Sequence, residues 1–133
     1  MISFHSYKNR IILDGQRVKV YYNLHNGKYS AVALDGCEKG RVLGHFDNVT
    51  LRDVSFSVSE AGRQRVIREK RKNVHAYAIG SVFLSDQTIS LDNASVLRYN
   101  PYKMSQFHAN NIPVTGAKLA SLGPTGFYAK EAK

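Results

Sequence analysis

Residues 17–34, RVKVYYNLHNGKYSAVAL, carry the local pattern that decides the fold. Two runs of alternating apolar residues flank Asn26-Gly27, a dipeptide that favours a tight hairpin turn because both positions tolerate positive φ. A two-residue turn there predicts three cross-strand pairs on one face: Leu24 with Tyr29, Tyr22 with Ala31, and Val20 with Ala33. We expect that face to be the core side of a β-sheet.

Two further extended segments follow, RVLGHF (41–46) and NVTLRDVSFSV (48–58). In the second segment the apolar residues change from odd to even positions halfway along. A one-residue slip turns the side chains of a strand to the opposite face, so the pattern predicts a β-bulge near Arg52 and Asp53.

The later part of the chain also favours strands. The stretch 73–84, NVHAYAIGSVFL, is apolar on both parities, which predicts a central strand in which Gly80 marks a close backbone approach or a bulge. We expect short strand pieces over 85–99, a turn at Asn100-Pro101, and a last hairpin formed by AKLASL and FYAK.

One helix interrupts the strands. Ser59 is a favourable N-cap and Glu60 suits the first turn of a helix that we expect to run to about Lys72. The predicted fold class is therefore α+β and mainly β: a twisted antiparallel or barrel-like sheet with one basic helix, about 59–72, packed on it. At 133 residues, 1–133 is expected to form a single domain.

Composition excludes several classes of protein. The chain is 43% hydrophobic and 22% charged, as in ordinary globular domains. It has no long apolar stretch, so we expect neither a membrane span nor a secretory signal, and a cytoplasmic location. The single Cys37 permits no intramolecular disulfide, and the histidines are too scattered for a metal pair. No glycine-rich phosphate loop is present, and no cofactor is expected.

The formal net charge of +9 is concentrated near the predicted helix. Six cations fall within residues 59–73 against two acidic residues: Arg63, Arg65, Arg68, Lys70, Arg71 and Lys72. Cations on successive turns can neutralise backbone phosphates, which gives affinity without sequence choice. Nucleic acid or an acidic protein surface is therefore the expected partner. The alternative is a solvated helix whose charges only keep the protein soluble.

A second group of candidate binding residues is RYNPYK (98–103). Here Tyr99, Tyr102 and Lys103 flank a proline turn, and aromatic rings interleaved with cations can stack unpaired bases while holding the backbone. The alternative is a pair of tyrosines that fixes a loop to the sheet.

The catalytic candidate is His75, which follows Arg71 closely. A neutral imidazole there could act as general base on a ribose 2′-hydroxyl, with Arg71 stabilising the phosphate, as in a metal-independent ribonuclease. A second acid or base would be needed, and His45, Glu69 or His108 are the candidates. The alternative is a half-buried structural histidine.

The strings VYYNLHNGKYS, GRQRVIREKRKNVHAYAIG and RYNPYK together resemble short uncharacterised proteins of tailed bacteriophages and related mobile elements, over roughly residues 16–107. The resemblance carries no established activity and therefore transfers no functional residue. It implies a protein made in the cytoplasm of an infected bacterium, where small basic proteins act on nucleic acid or interfere with host defence.

The leading hypothesis is a non-enzymatic protein that binds nucleic acid or a ribonucleoprotein through the six helix cations, with Tyr99, Tyr102 and Lys103 as accessory contacts. The alternatives are the ribonuclease and a protein-binding inhibitor or self-assembling structural protein whose basic helix meets an acidic groove. The sequence leaves open whether the chain forms homo-oligomers.

Overall fold

The computed structural model describes residues 3–5, 11–24, 27–83, 94–123 and 126–132. Within these residues the chain forms twelve strands and one helix, α1 (Glu60–Glu69). The strands are β1 (Ser3–His5), β2 (Ile11–Leu13), β3 (Arg17–Asn23), β4 (Lys28–Ala33), β5 (Val42–Phe46), β6 (Val49–Val58), β7 (Ala76–Val82), β8 (Ser95–Leu97), β9 (His108–Ala109), β10 (Ile112–Pro113), β11 (Gly116–Gly123) and β12 (Gly126–Ala132).

Eight strands form one antiparallel sheet in the order β5-β4-β3-β7-β6-β11-β12-β8. β1 pairs with β2, and β9 pairs with β10, as separate two-stranded ladders. β7 lies in the interior of the large sheet, between β3 and β6, as the two-sided apolar pattern predicts. The α+β, mainly β fold class is thus confirmed.

The sheet curls strongly without closing into a barrel. β5 ends at Phe46 and β6 begins at Val49, although β4, β3 and β7 lie between them in the sheet. In a flat sheet four strand spacings would separate β5 from β6 by about 19 Å, whereas three Cα–Cα steps reach at most about 11 Å. The sheet must therefore bend until these two strand ends approach each other. Among the described residues, β5 pairs with β4 and β8 pairs with β12, and these two edge strands do not pair with each other. The sheet is therefore not a closed barrel.

The predicted first hairpin is present, but its register differs by two residues. Tyr22 pairs with Tyr29 and Val20 with Ala31, so the loop spans four residues instead of two. Gly27 has the expected positive φ of 68° and donates its N–H to the Asn23 carbonyl at 3.0 Å. Asn26 lies outside the described residues. Because the shift is an even number of residues, the predicted core face is unchanged.

The predicted bulge is confirmed. The β6–β7 register shifts between Arg52 and Ser55, and Asp53 takes a left-handed φ of 50°. Gly80 lies opposite, where an added Cβ would stand 3.0 Å from both the Arg52 carbonyl oxygen and the Leu51 Cβ. The close backbone approach predicted at Gly80 is the reason why β7 can follow the bend of β6.

The core lies inside the curled sheet. Its largest fully buried apolar side chains come from four strands of the large sheet and its flanking segments: Ile12, Val18, Val20, Leu43, Leu51 and Leu122. The predicted last hairpin is also confirmed, because β11 pairs with β12 from Gly123–Gly126 outward. Of the strand pieces expected over 85–99, β8 is present, while residues 85–93 lie outside the described residues.

Candidate nucleic-acid interface

The predicted helix begins where the sequence predicts and ends earlier. The Gly62 N–H donates to the Ser59 hydroxyl at 3.3 Å, which makes Ser59 the N-cap. At the other end Lys70 takes a left-handed φ of 58° and donates its N–H to the Val66 carbonyl at 2.8 Å. This cap stops the helix at Glu69. Lys70, Arg71 and Lys72, predicted in the last turn, therefore lie in the connection to β7.

Short contacts hold α1 at the end of the sheet where β6 finishes and β7 begins. The Ser59 N–H donates to the His75 carbonyl at 2.6 Å, and the Asn73 side chain donates to the Gly62 carbonyl at 3.3 Å. A Cβ at Gly62 would lie 2.6 Å from the Cβ of His75. Only glycine fits this approach, so Gly62 has a packing role that the sequence pattern does not reveal.

The helix carries its own carboxylates beside two of the six cations. Arg63 pairs with Glu60 at 2.7 Å, and Arg65 pairs with Glu69 at 2.8 Å. A hydrogen bond from Gln64, and then the contact with Arg63, lower the pKa of Glu60 and keep this carboxylate charged. The predicted charge patch is therefore smaller than six free cations.

The remaining four cations, Arg68, Lys70, Arg71 and Lys72, are exposed. Within the described part of the chain, none of them forms an ion pair with a carboxylate. Together they make up what we call the basic segment, which covers the last turn of α1 and the start of the connection to β7. Glu69 lies among these cations but is paired with Arg65, so the basic segment keeps an excess of positive charge.

Arg63 has a structural role in addition to its charge. Its side chain is only 15% exposed, and its Nε donates to the Pro101 carbonyl at 2.8 Å. The helix and the turn at 98–103 are far apart in sequence, and this hydrogen bond places them side by side. The structure thus brings together the two groups of residues that the sequence singles out separately.

Tyr99 is part of the packing under that turn. Its ring stacks on Phe107 with centroids 5.3 Å apart and an angle of 22° between the planes. Its hydroxyl forms a hydrogen bond with Nε2 of His75 at 2.7 Å. Burial raises the pKa of Tyr99, partly offset by the nearby Arg63 charge. Tyr99 thus matches the alternative of a tyrosine that fixes a loop, which leaves the exposed Tyr102 and Lys103 as the accessory residues at the surface.

The tip of the turn presents the other two accessory residues. Tyr102 is 58% exposed, and its backbone N–H is held by the Asn100 side chain at 2.9 Å. Lys103 is exposed and donates to the Asn111 side-chain oxygen. Both side chains therefore stand on the surface of a turn that Arg63 ties to α1.

The contacts of His75 favour a structural role. Its ring is buried, Nδ1 donates to the Asn73 carbonyl at 3.0 Å, and Nε2 is hydrogen-bonded to the Tyr99 hydroxyl. Both ring nitrogens are thus hydrogen-bonded within the protein. A general base needs a free nitrogen that faces the substrate.

The proposed catalytic partners of His75 are placed elsewhere. His45 is in β5, where its Nδ1 lies 2.8 Å from the hydroxyl of Ser30 in β4, and β4 and β3 separate β5 from β7. Glu69 is paired with Arg65. His108 is buried in β9, and its Nε2 has no hydrogen-bond partner among the described residues. No hydrogen bond between described residues joins any of the three to His75.

Sequence reasoning missed a cavity at the same end of the sheet. Tyr22, Tyr29, Tyr99, Phe107 and Phe127 contribute to its lining. Tyr22 and Tyr29 pair across the first hairpin, Tyr99 and Phe107 lie between β8 and β9, and Phe127 is in β12, so three distant parts of the chain meet at the cavity. The alternation of Val18, Val20 and Tyr22 indicates that Tyr22 lies on the core face of β3. It does not reveal that this face encloses a cavity, because that depends on the curvature of the whole sheet.

In the ranges given above, no helix has the length and apolar character needed to cross a membrane. No cluster of three or more His, Cys, Asp or Glu side chains there is arranged to hold a metal ion.

Comparison with known proteins identifies the chain's relatives. The family model described as Mycobacterium phage L5 gene 82 protein matches residues 12–130. The gene 82 protein of Mycobacterium phage L5 is 41% identical over 119 residues, which cover 83% of this chain and 92% of that protein. No solved structure gives a significant match. The resemblance to bacteriophage proteins is confirmed, and the chain belongs to the family of the Mycobacterium phage L5 gene 82 protein.

Proposed function

We propose that this phage-family protein binds nucleic acid, or the nucleic acid of a ribonucleoprotein, through the basic segment, in the cytoplasm of an infected bacterium. One observation carries the proposal: four exposed cations lie within five consecutive positions, and no described carboxylate pairs with them. A concentrated field of one sign attracts a polyanion more strongly than the same charges dispersed over the surface.

The chemistry of the basic segment suits backbone phosphates. Guanidinium groups of Arg68 and Arg71 offer paired N–H donors, while Lys70 and Lys72 act as point charges. Each phosphate neutralised releases condensed counterions, so affinity is expected to fall steeply with salt. We expect a non-specific Kd of roughly 10⁻⁴ to 10⁻⁶ M near physiological salt.

The other candidate residues contribute less to binding than the basic segment, or support its position. Tyr102 and Lys103 are accessory contacts because the Arg63–Pro101 hydrogen bond keeps their turn beside the helix. Arg65 contributes less because Glu69 partly neutralises it. Arg63 supports the arrangement of helix and turn, and Tyr99 supports the turn from below.

Fluorescence anisotropy with labelled single-stranded DNA, duplex DNA and RNA, between about 50 and 200 mM salt, tests the proposal. The test variant is Arg68→Gln, Arg71→Gln, Lys72→Gln. The control variant, Lys39→Gln, Arg41→Gln, Lys118→Gln, removes three exposed cations from other parts of the surface. We expect the test variant to lower the slope of log K against log salt by about 2 to 3 and the control to leave it nearly unchanged.

Two results would overturn the proposal. One is the absence of salt-dependent binding to any of the three nucleic acids. The other is an equal loss of nucleic-acid affinity in both triple variants, which would mean that the net charge of the protein alone governs binding. If the basic segment instead meets an acidic protein groove, a partner captured from host lysate will persist after nuclease digestion. The ribonuclease alternative gains no support from His75, since both of its ring nitrogens are occupied.

A further inference from the structure

A cavity of about 320 Å³ opens inside the curled sheet, at the end where β7 begins. Its size lies at the lower limit of small-molecule pockets, which span about 300 to 1,000 Å³. It is therefore large enough for one planar ring system with its attached sugar and too small for a folded polymer segment.

A continuous run of aromatic rings lines the cavity. Tyr22 contacts Tyr29 with centroids 5.4 Å apart, and Tyr29 contacts Phe127 at 5.8 Å. Phe127 stacks on Phe107 at 5.9 Å, and Phe107 stacks on Tyr99 at 5.3 Å. Tyr29 and Phe107 are buried by their neighbours, so a flat π-system that enters the cavity would stack on the partly exposed Tyr22, Tyr99 or Phe127.

Not every tyrosine near the cavity points into it. Tyr21 and Tyr77 also border the cavity. Side chains alternate between the two faces of a strand, so the rings of Tyr21 and Tyr77 point away from the face shared by Val20, Tyr22 and Ala78. The Lys19 ammonium lies over the Tyr77 ring on that outer face, 4.4 Å from its centroid. Tyr21 and Tyr22 are therefore adjacent residues of one type on opposite faces of β3, which provides a matched pair for experiments.

The cavity adjoins the basic segment. The Tyr99 hydroxyl at the cavity wall is bonded to His75, and His75 follows Lys72 by three residues, a chain distance of at most about 11 Å. Arg63 of α1 donates a hydrogen bond to the carbonyl of Pro101, two residues after Tyr99 in the same turn. A polyanion on the basic segment would thus lie beside the cavity, with its attached groups within reach of it.

We propose that the cavity takes one unpaired base of a single-stranded nucleic acid whose phosphates lie along the basic segment. This inference rests on the proposed function and narrows it to single strands. An aromatic platform next to a cationic track is the combination by which sequence-tolerant single-strand binders work. A duplex keeps its bases stacked and paired, so it would engage only the basic segment.

A tryptophan reporter tests this directly, because the natural chain contains no tryptophan. Tyr22 is 45% exposed, so Tyr22→Trp places an indole at the rim of the cavity. Tyr21→Trp is the matched control on the opposite face. The probes are an oligothymidine of about ten nucleotides and an abasic oligomer with the same number of phosphates.

We expect the oligothymidine to bind about ten-fold more tightly than the abasic oligomer, since stacking adds to the phosphate contacts. It should quench the fluorescence of Tyr22→Trp and leave that of Tyr21→Trp nearly unchanged. Ala76→Leu, which fills part of the cavity, should remove the difference between the two oligomers while both still bind.

The possible failures are distinguishable. Equal affinity for both oligomers without quenching would overturn the cavity proposal and leave the proposed function intact. Quenching by an uncharged apolar dye, with none by oligothymidine that is bound, would assign the cavity to a small apolar ligand and also overturn the proposal. Failure of both oligomers to bind at low salt would overturn the proposed function and the cavity proposal together.

Discussion

The Tyr99 hydroxyl lies 2.7 Å from Nε2 of His75, and this hydrogen bond joins the turn at 98–103 to the connection between α1 and β7. The other ring nitrogen of His75 is held by the Asn73 carbonyl at 3.0 Å. One buried imidazole thus fixes two loops that each carry candidate binding residues.

Removing the Tyr99 hydroxyl should therefore cost stability. Tyr99→Phe keeps the stack on Phe107 but leaves a buried acceptor on His75 without a partner, a loss of about 1 to 3 kcal/mol. Urea unfolding measures the change. The control is Tyr102→Phe on the exposed tip of the turn, which should stay within about 0.5 kcal/mol of the natural protein. Equal stability of all three proteins would show that water replaces the Tyr99 hydroxyl.

Strongly alkaline pH should destabilise the fold through Tyr29. Burial, and then the neighbouring Tyr22, raise the pKa of Tyr29 to about 12, well above the ordinary value of a tyrosine. A raised pKa means that the folded state keeps a proton which the unfolded state loses. The stabilising contribution is thus complete below pH 10 and is lost as the pH rises toward 12.

The measurement for Tyr29 is the urea midpoint as a function of pH, together with tyrosinate absorbance. Tyr29→Phe should make the decline between pH 10 and pH 12 shallower, although it also removes the hydrogen bond from Tyr29 to the Gly123 carbonyl at 3.2 Å. If the natural protein and Tyr29→Phe decline in parallel, a different group is responsible.

The two ion-paired arginines of α1 should differ in their effect on stability. Arg63→Met breaks a largely buried hydrogen bond to Pro101 and should cost about 1.5 to 3 kcal/mol of unfolding free energy. Arg65→Met removes an exposed i,i+4 ion pair and should cost no more than about 0.5 kcal/mol. Thermal or urea unfolding of both variants compares them. A larger loss for Arg65→Met would contradict the structural role assigned to Arg63.

Local patterns predict most of the fold. The phase change around Arg52 and Asp53 predicts the bulge, and the two-sided apolar run predicts β7 as an interior strand. These features depend on alternation within one segment, which the sequence shows directly. The first hairpin illustrates the limit: Asn26-Gly27 suggests a two-residue turn, while the structure pairs Tyr22 with Tyr29 across a four-residue loop. Both registers bury the same face, so the pattern cannot choose between them.

The candidate site depends on contacts between distant segments, which local patterns do not encode. The sequence indicates the cations, but the left-handed Lys70 that ends the helix early is a tertiary outcome. The Arg63–Pro101 and Tyr99–His75 contacts join residues 38 and 24 positions apart. The cavity likewise is lined by residues from several distant parts of the chain, which no single local pattern places together.

The pairing of β6 with β11 has a consequence for biosynthesis. Leu51 pairs with Ala120. At a translation rate of about 5 to 20 residues per second, the ribosome adds Ala120 roughly 3 to 14 s after Leu51. During that interval one edge of β6 has no neighbour, and an open strand edge is a template for pairing with other chains. The yield of correctly folded protein should therefore depend on how densely ribosomes are loaded on the message and on the temperature of expression.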